Sequence, residues 1–311
     1  MALLVRGLDS VPQEACGGAI AIGNFDGIHL GHRQLVRLLI DQSQRVGGPS
    51  VILTFDPPPI KLLRPDMLPP ALTWMERRAE ILFHLGIDYV IIIETTHELL
   101  ELSAEDFYKQ ILVDQLNAKS IIEGPNFHFG KDRRGDIELL DELCQQHGVH
   151  LTIADGQSSA GHWVSSSRIR TLIDSGDIRE ANKLLLEPYR LHGRVVQGAA
   201  RGRTIGFPTA NLGNIDVLVP PHGVYAGGVT LGQTNYPAAI HIGPNPTFAE
   251  NATKVEVFVI GFSGDLYATM LEVELLEQIR GVKKFDGVEQ LVAQLKVDVE
   301  KARQIHQANF V

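Results

Sequence analysis

The sequence predicts an α/β chain in two domains. Residues 1–187 form a parallel sheet covered by helices, and residues 188–311 form a small antiparallel β-barrel with a C-terminal helix. Three observations carry this expectation. The chain has 311 residues, about twice the ~150 of an average domain. Up to about residue 186, short apolar runs alternate with amphipathic stretches, the pattern of a parallel sheet with crossover helices. From about residue 190, strand-like runs follow one another across turn-rich joins, which suits a small barrel.

In the first half, residues 18–23, 51–55, 89–93, 120–123 and 149–154 read as buried strands. Helical segments fall between them. Leu35, Leu38 and Leu39 share one face of residues 33–45, and residues 75–85, 104–116 and 137–147 follow. Ligands of such sheets sit at the carboxyl ends of the strands. In the second half, residues 190–197, 223–231, 237–242, 254–262 and 268–276 read as strands with no helices between them. Val288, Leu291, Val292, Leu295, Val299, Ala302 and Ile305 keep helical spacing in a closing helix. The joint falls at Glu187-Pro188-Tyr189, where a proline ends the preceding helix.

Composition narrows the function classes. Charged residues at 21% and aromatics at 6% argue against a disordered or coiled-coil chain. A net charge of −9 argues against a nucleic-acid partner, which needs a basic surface. Cys16 and Cys144 are far apart, so neither a disulfide framework nor a zinc site follows. No apolar run approaches the roughly 18 residues of a membrane span, and MALLVRGLDS does not read as a signal peptide. The expected setting is the cytoplasm, with small-molecule partners, no membrane, and self-association at most weak or transient.

Four clusters carry chemistry. Gly23-Asn24-Phe25-Asp26-Gly27-Ile28-His29-Leu30-Gly31-His32 follows a strand and opens a helix. Glycines admit a ligand close to backbone, and a helix N-terminus offers N–H groups to phosphate. His29 and His32, three apart, can face one spot. Zinc is disfavoured there for want of a third ligand. Gly124-Pro125-Asn126-Phe127-His128-Phe129-Gly130-Lys131 again follows a strand; its amide and aromatics suit a flat ring or a ribose. Ser165-Ser166-Ser167-Arg168-Ile169-Arg170 puts arginines in a helix's first turn, where the dipole disfavours cations unless an anion rests there. Gly198 to Leu212 reads GAARGRTIGFPTANL, a glycine- and arginine-bearing loop suited to wrapping polyphosphate. In it Thr209 and Asn211 offer oxygen ligands that suit magnesium.

The HxGH string His29-Leu30-Gly31-His32 with the later Ser-Ser-Ser-Arg-Ile-Arg resembles the Rossmann-like HxGH nucleotidyltransferase superfamily. GNFDGIHLGH, GPNFHFGKDRRG and SSSRIR together resemble its flavin adenylyltransferase branch. That resemblance implies ATP and phosphate binding by Gly23, Phe25, Asp26, Gly27, His29, Gly31, His32, Ser166, Ser167, Arg168 and Arg170. It gives His29 and His32 a catalytic part, and assigns FMN binding to Asn126, Phe127 and Phe129. Ser167 stands where the family has threonine, and Pro58 where it often has histidine.

The fourth cluster resembles the GxxxGxxxGFPTAN signature of riboflavin kinases. Agreement continues through Gly223-Val224-Tyr225, Ile242-Gly243-Pro244-Asn245-Pro246-Thr247-Phe248 and Gly264-Asp265-Leu266-Tyr267. The resemblance implies ATP binding by Gly198, Arg201, Gly202, Arg203, Gly206, Pro208, Thr209 and Asn211. It also implies Mg2+ on Thr209 and Asn211, and Glu256 as catalytic base. His241, Phe258 and Val282 depart from the family's asparagine, histidine and glutamate. The order of the two halves is that of the bifunctional prokaryotic riboflavin kinase/FAD synthetase family. It implies phosphorylation of riboflavin to FMN, then adenylylation of FMN to FAD, with ATP as donor in both steps.

Overall fold

The computed structural model describes residues 2–155, 158–159, 161–198, 201–244 and 253–309. By internal contacts the chain divides into two compact units. One comprises Met1–Pro69 with Met75–Ser165, the other Pro70–Trp74 with Ser166–Val311.

The first unit holds a six-stranded parallel sheet in the order β1-β4-β3-β2-β5-β6. Its strands are β1 (Leu3–Arg6), β2 (Ala19–Ile22), β3 (Ser50–Asp56), β4 (Tyr89–Glu94), β5 (Ser120–Glu123) and β6 (His150–Ile153). A short hairpin, β7 (Ser158–Ser159) with β8 (His162–Trp163), follows. The helices are α1 (Leu30–Val46), α2 (Ile60–Leu63), α3 (Met75–His84), α4 (His97–Leu100), α5 (Ala104–Phe107) and α6 (Ile137–His147). β2, β3, β4 and β5 are buried nearly throughout, as covering both faces of a parallel sheet requires. Asp136 caps α6 by accepting the Leu139 N–H at 2.9 Å, one of the orphan donors of a helix start. The long helix expected over residues 104–116 is α5 running into a π-helix, Tyr108–Gln115. The five-residue spacings of Phe107–Leu112 and Ile111–Leu116, all buried, suit its i→i+5 bonding.

The second unit is a closed antiparallel barrel in the order β10-β13-β12-β11-β14-β9. Its strands are β9 (Arg190–Val196), β10 (Ala210–Gly213), β11 (Gly223–Leu231), β12 (Thr234–Gly243), β13 (Lys254–Val259) and β14 (Met270–Gly281). Val255, Val257 and Val259 of β13 are buried, while Glu256 and Phe258 between them are half-buried on the outer face, the period-two alternation of a barrel wall. The helices are α7 (Ser166–Asp174), α8 (Ile178–Leu184), α9 (Arg201–Thr204) and α10 (Val288–Asn309). The single-turn α9 corrects the expectation of helix-free joins. α10 lies against Phe258, Ala239 and Ala226 through Val299, Ala302 and Ile305. Asn182 of α8 donates to the Leu275 carbonyl at 2.8 Å and accepts the Tyr189 N–H at 2.8 Å, so α8 belongs with the barrel by contacts.

Candidate functional site

In the first unit the loop after β2 is fixed from below. Arg78 of α3 donates to the Asn24 carbonyl at 2.6 Å and to Asp26 at 3.1 Å, and both side chains are buried. The Asp26 carboxylate therefore tethers the loop to α3. Arg78 escaped the sequence reading. Its signal was an arginine between Met75 and Leu82 on the helix's apolar stripe, where a cation needs a partner. Phe25 is held at φ 46°, an uncommon conformation for a non-glycine residue, and its buried ring lies 5.1 Å from that of His32. A Cβ on Gly23 would come within 3.2 Å of the Phe25 ring.

His29 is the N-cap of α1. His29 Nδ1 accepts the His32 N–H and His32 Nδ1 accepts the His29 N–H, both at 3.4 Å. The two rings stack 3.8 Å apart at 12°. Burial pushes His29 down to about 4, and burial holds His32 well below the ordinary imidazole range, helped by His29 and Arg78. Both rings are neutral near pH 7. With each Nδ1 accepting, the proton of each neutral ring sits on Nε2, so the pair offers two N–H donors rather than two charges. Gly31 keeps the space between them open: a Cβ there would meet the His29 ring at 3.2 Å and the Val164 carbonyl at 3.4 Å.

The loop after β5 lies at the same end of the sheet. Asn126 is exposed, Phe127 half-buried and Phe129 buried in the core. Phe127 stacks on Phe129 at 5.5 Å and 14°, so Phe129 supports Phe127 from within. In the second unit, Ser166 opens α7 and Ile169 and Ile173 are its buried face. Ser166 and Arg168 are half-buried and Ser167 is exposed. Arg170 Nε donates to the Pro70 carbonyl at 2.8 Å.

On the barrel, Gly198 leaves the room that Asn211 fills: a Cβ there would lie 2.3 Å from Asn211 Nδ2. Gly202 lies under the Phe207 carbonyl, 2.1 Å from where a Cβ would stand, with Thr209 Oγ1 at 3.5 Å. The Phe207 N–H donates to the Gly202 carbonyl at 2.8 Å. The glycines thus wrap the loop onto Thr209 and Asn211. Gly206, Arg203 and Pro208 are exposed. Ala199, Ala200 and residues 245–248 lie outside the described residues, and of Arg201 only the backbone is described. Asn211 pairs with Glu256, Glu256 with His241, His241 with Val224 and Val224 with Arg280 across five neighbouring strands. Directly paired residues share a face, so one outer row carries an amide, a carboxylate, an imidazole and a guanidinium. Among the described residues no group of three His, Cys, Asp or Glu could hold a metal. The hard-oxygen set of Thr209 and Asn211 beside Glu256 does fit magnesium.

Each unit thus carries a glycine-bearing loop on a fold of its own, a parallel sheet in one and a closed barrel in the other. Residues 11–168 match the FAD synthetase family model and residues 185–306 the riboflavin kinase model. The chain is 34% identical over 305 residues to the bifunctional riboflavin kinase/FMN adenylyltransferase of Escherichia coli K12, covering 97% of each. It is 32% identical over 298 residues to the protein of that name from Bacillus subtilis 168, covering 94% of this chain and 93% of that one. A crystal structure of a protein described as a macrolide-efflux protein from Streptococcus pneumoniae superposes with a TM-score of 0.84 at 31% identity, over 97% of this chain and 98% of that one. The chain belongs to the bifunctional riboflavin kinase/FMN adenylyltransferase family. None of its described helices is long and apolar enough to cross a membrane.

Proposed function

We infer that this chain makes FAD from riboflavin in two ATP-dependent steps. The observation that carries the reading is the tandem match of both family models, FAD synthetase over residues 11–168 and riboflavin kinase over residues 185–306. In the first step the terminal ribityl hydroxyl attacks the γ-phosphorus of ATP, giving FMN and ADP. Glu256 accepts the hydroxyl proton; its place on the outer row beside Asn211 supports that role. Gly198, Arg201, Gly202, Arg203, Gly206 and Pro208 shape the ATP loop. Thr209 and Asn211 would hold Mg2+, which when bound neutralises phosphate charge.

In the second step a phosphate oxygen of FMN attacks the α-phosphorus of another ATP. The bond to the β-phosphate bridge breaks, and FAD and pyrophosphate leave. The attacking phosphate is already anionic, so no protein nucleophile is required. His29 and His32 donate Nε2–H bonds to phosphate oxygens, stabilising charge without carrying it. Gly23, Phe25, Asp26, Gly27 and Gly31 shape that turn. Ser166, Ser167, Arg168 and Arg170 serve the same half-reaction as anion-binding groups of α7. Asn126 and Phe127, backed by Phe129, hold the flavin. The reaction belongs in the cytoplasm, where its small-molecule partners are.

The test is Glu256→Gln. It should lower FMN formation about 10²–10⁴-fold and leave FAD formation from FMN unchanged. Normal FMN formation by that variant would remove Glu256 as the base.

A further inference from the structure

The sheet order β3-β2-β5 places β2 and β5 side by side at the point where the chain changes direction. Ligands of open α/β sheets occupy the crevice outside the strands at that point. The β2–β5 ladder covers only Ala19 with Ser120 and Ile20 with Ile121. Two residues further on the link is no longer backbone to backbone. The Ile22 N–H donates to Glu123 Oε1 at 2.6 Å, and the Gly124 N–H donates to the same carboxyl group. On the outer sides the ladder is intact: the Gly23 N–H reaches the Leu53 carbonyl at 3.0 Å, and the Ala154 N–H reaches the Glu123 carbonyl at 2.7 Å. Glu123 is 3% exposed, and a buried acid without a structural or chemical task is rare.

We propose that Glu123 is a positioning residue for FMN adenylylation: its carboxyl group bridges the parted ends of β2 and β5 and so sets the spacing between the His29–His32 turn and the Asn126–Phe127 loop. This rests on the adenylyltransferase reading above. The phosphate turn begins at Gly23, one residue after Ile22, and the flavin loop begins at Gly124, one residue after Glu123. A side chain that fixes one strand end to the other therefore fixes both loop roots. Burial pushes the carboxyl up, against the pull of the two backbone N–H donors, and glutamine keeps the side chain's length and an acceptor oxygen for the Ile22 N–H. A reacting pair displaced by an ångström loses rate, whereas a phosphate turn that keeps its own contacts retains its ligand.

The full-length chain is assayed for FAD formation from FMN, with riboflavin phosphorylation as the control in the other unit. Glu123→Met, which fills the space without an acceptor, should lower kcat for FAD formation at least about tenfold. KM for ATP in that step should stay within about threefold, since the turn's own contacts remain. Glu123→Gln should restore kcat to within about threefold of the parent. If the methionine variant does not fold, Glu123→Asp, one methylene short of the Ile22 N–H, carries the same test. Unchanged kcat in the methionine or aspartate variant overturns the proposal. So does a rise in KM for ATP parallel to the loss of kcat, or failure of glutamine to rescue. Should the parent chain itself make no FAD from FMN, the adenylyltransferase reading falls and this inference with it.

Discussion

Glu256 and His241 face each other across the β13–β12 pair, on the outer wall of the barrel. Burial holds the His241 imidazole below its ordinary range against the pull of Glu256, and Arg280 adds to the depression. A neutral histidine brings no new charge to the carboxylate proposed as base. His241→Asn, which restores the residue common in the family, should therefore change kcat/KM for riboflavin phosphorylation by less than about threefold at neutral pH. Steady-state kinetics check this.

The histidine pair of α1 makes stability depend on pH. His29 has a folded value of about 4 against about 6.5 in the unfolded chain. The unfolded chain takes up the proton first, so the stabilisation is full above about pH 6.5 and is lost as pH falls toward 4. The 2.5-unit difference corresponds to about 3 kcal/mol. His29→Asn keeps an N-cap acceptor for the His32 N–H and should flatten that part of the acid limb. Denaturant titrations at several pH values read the change.

A methyl group on Gly31 would stand 3.2 Å from the His29 ring, so the ring must give by a few tenths of an ångström. Gly31→Ala should press on the His29 ring, which is buried and stacked on His32. FAD formation should fall about tenfold or more through displacement of the donors, with riboflavin phosphorylation unaffected. Separate assays of the two steps distinguish this from general damage.

α10 is anchored by an ion pair. Asp298, 1% exposed, takes Arg280 Nε and Nη2 at 3.0 and 2.7 Å on one oxygen. Asp298→Ala removes the guanidinium's charged partner and should cost about 1.5–3 kcal/mol, seen as an earlier urea midpoint of the barrel transition.

Much of this was legible in the sequence. Strands of unbroken Val, Ile and Leu, such as residues 51–53 and 90–93, announce themselves through burial on both sides. The succession of strand-like runs across turn-rich joins from about residue 190 pointed to the barrel. β1 was not seen, because Leu3–Arg6 is too short to show a period and gains its strand state from pairing with β4. β10 was missed for a related reason: Ala-Asn-Leu-Gly reads as a turn and becomes a strand only between β9 and β13. Motif spacing located the His29–His32 turn, but not the groups that hold it. Arg78 and Glu123 come from distant segments, 52 residues from Asp26 of the loop and 101 from Ile22 at the end of β2. No local pattern reports such a partner.

A time course tests the two-step activity most directly. The purified chain is mixed with riboflavin, excess ATP and magnesium, with FMN as substrate in parallel, and flavins are resolved by chromatography. A chain with both sites working gives FMN first and FAD after it from riboflavin, and FAD alone from FMN. FAD from FMN with riboflavin left untouched would contradict the two-step activity, leaving the barrel without its chemistry.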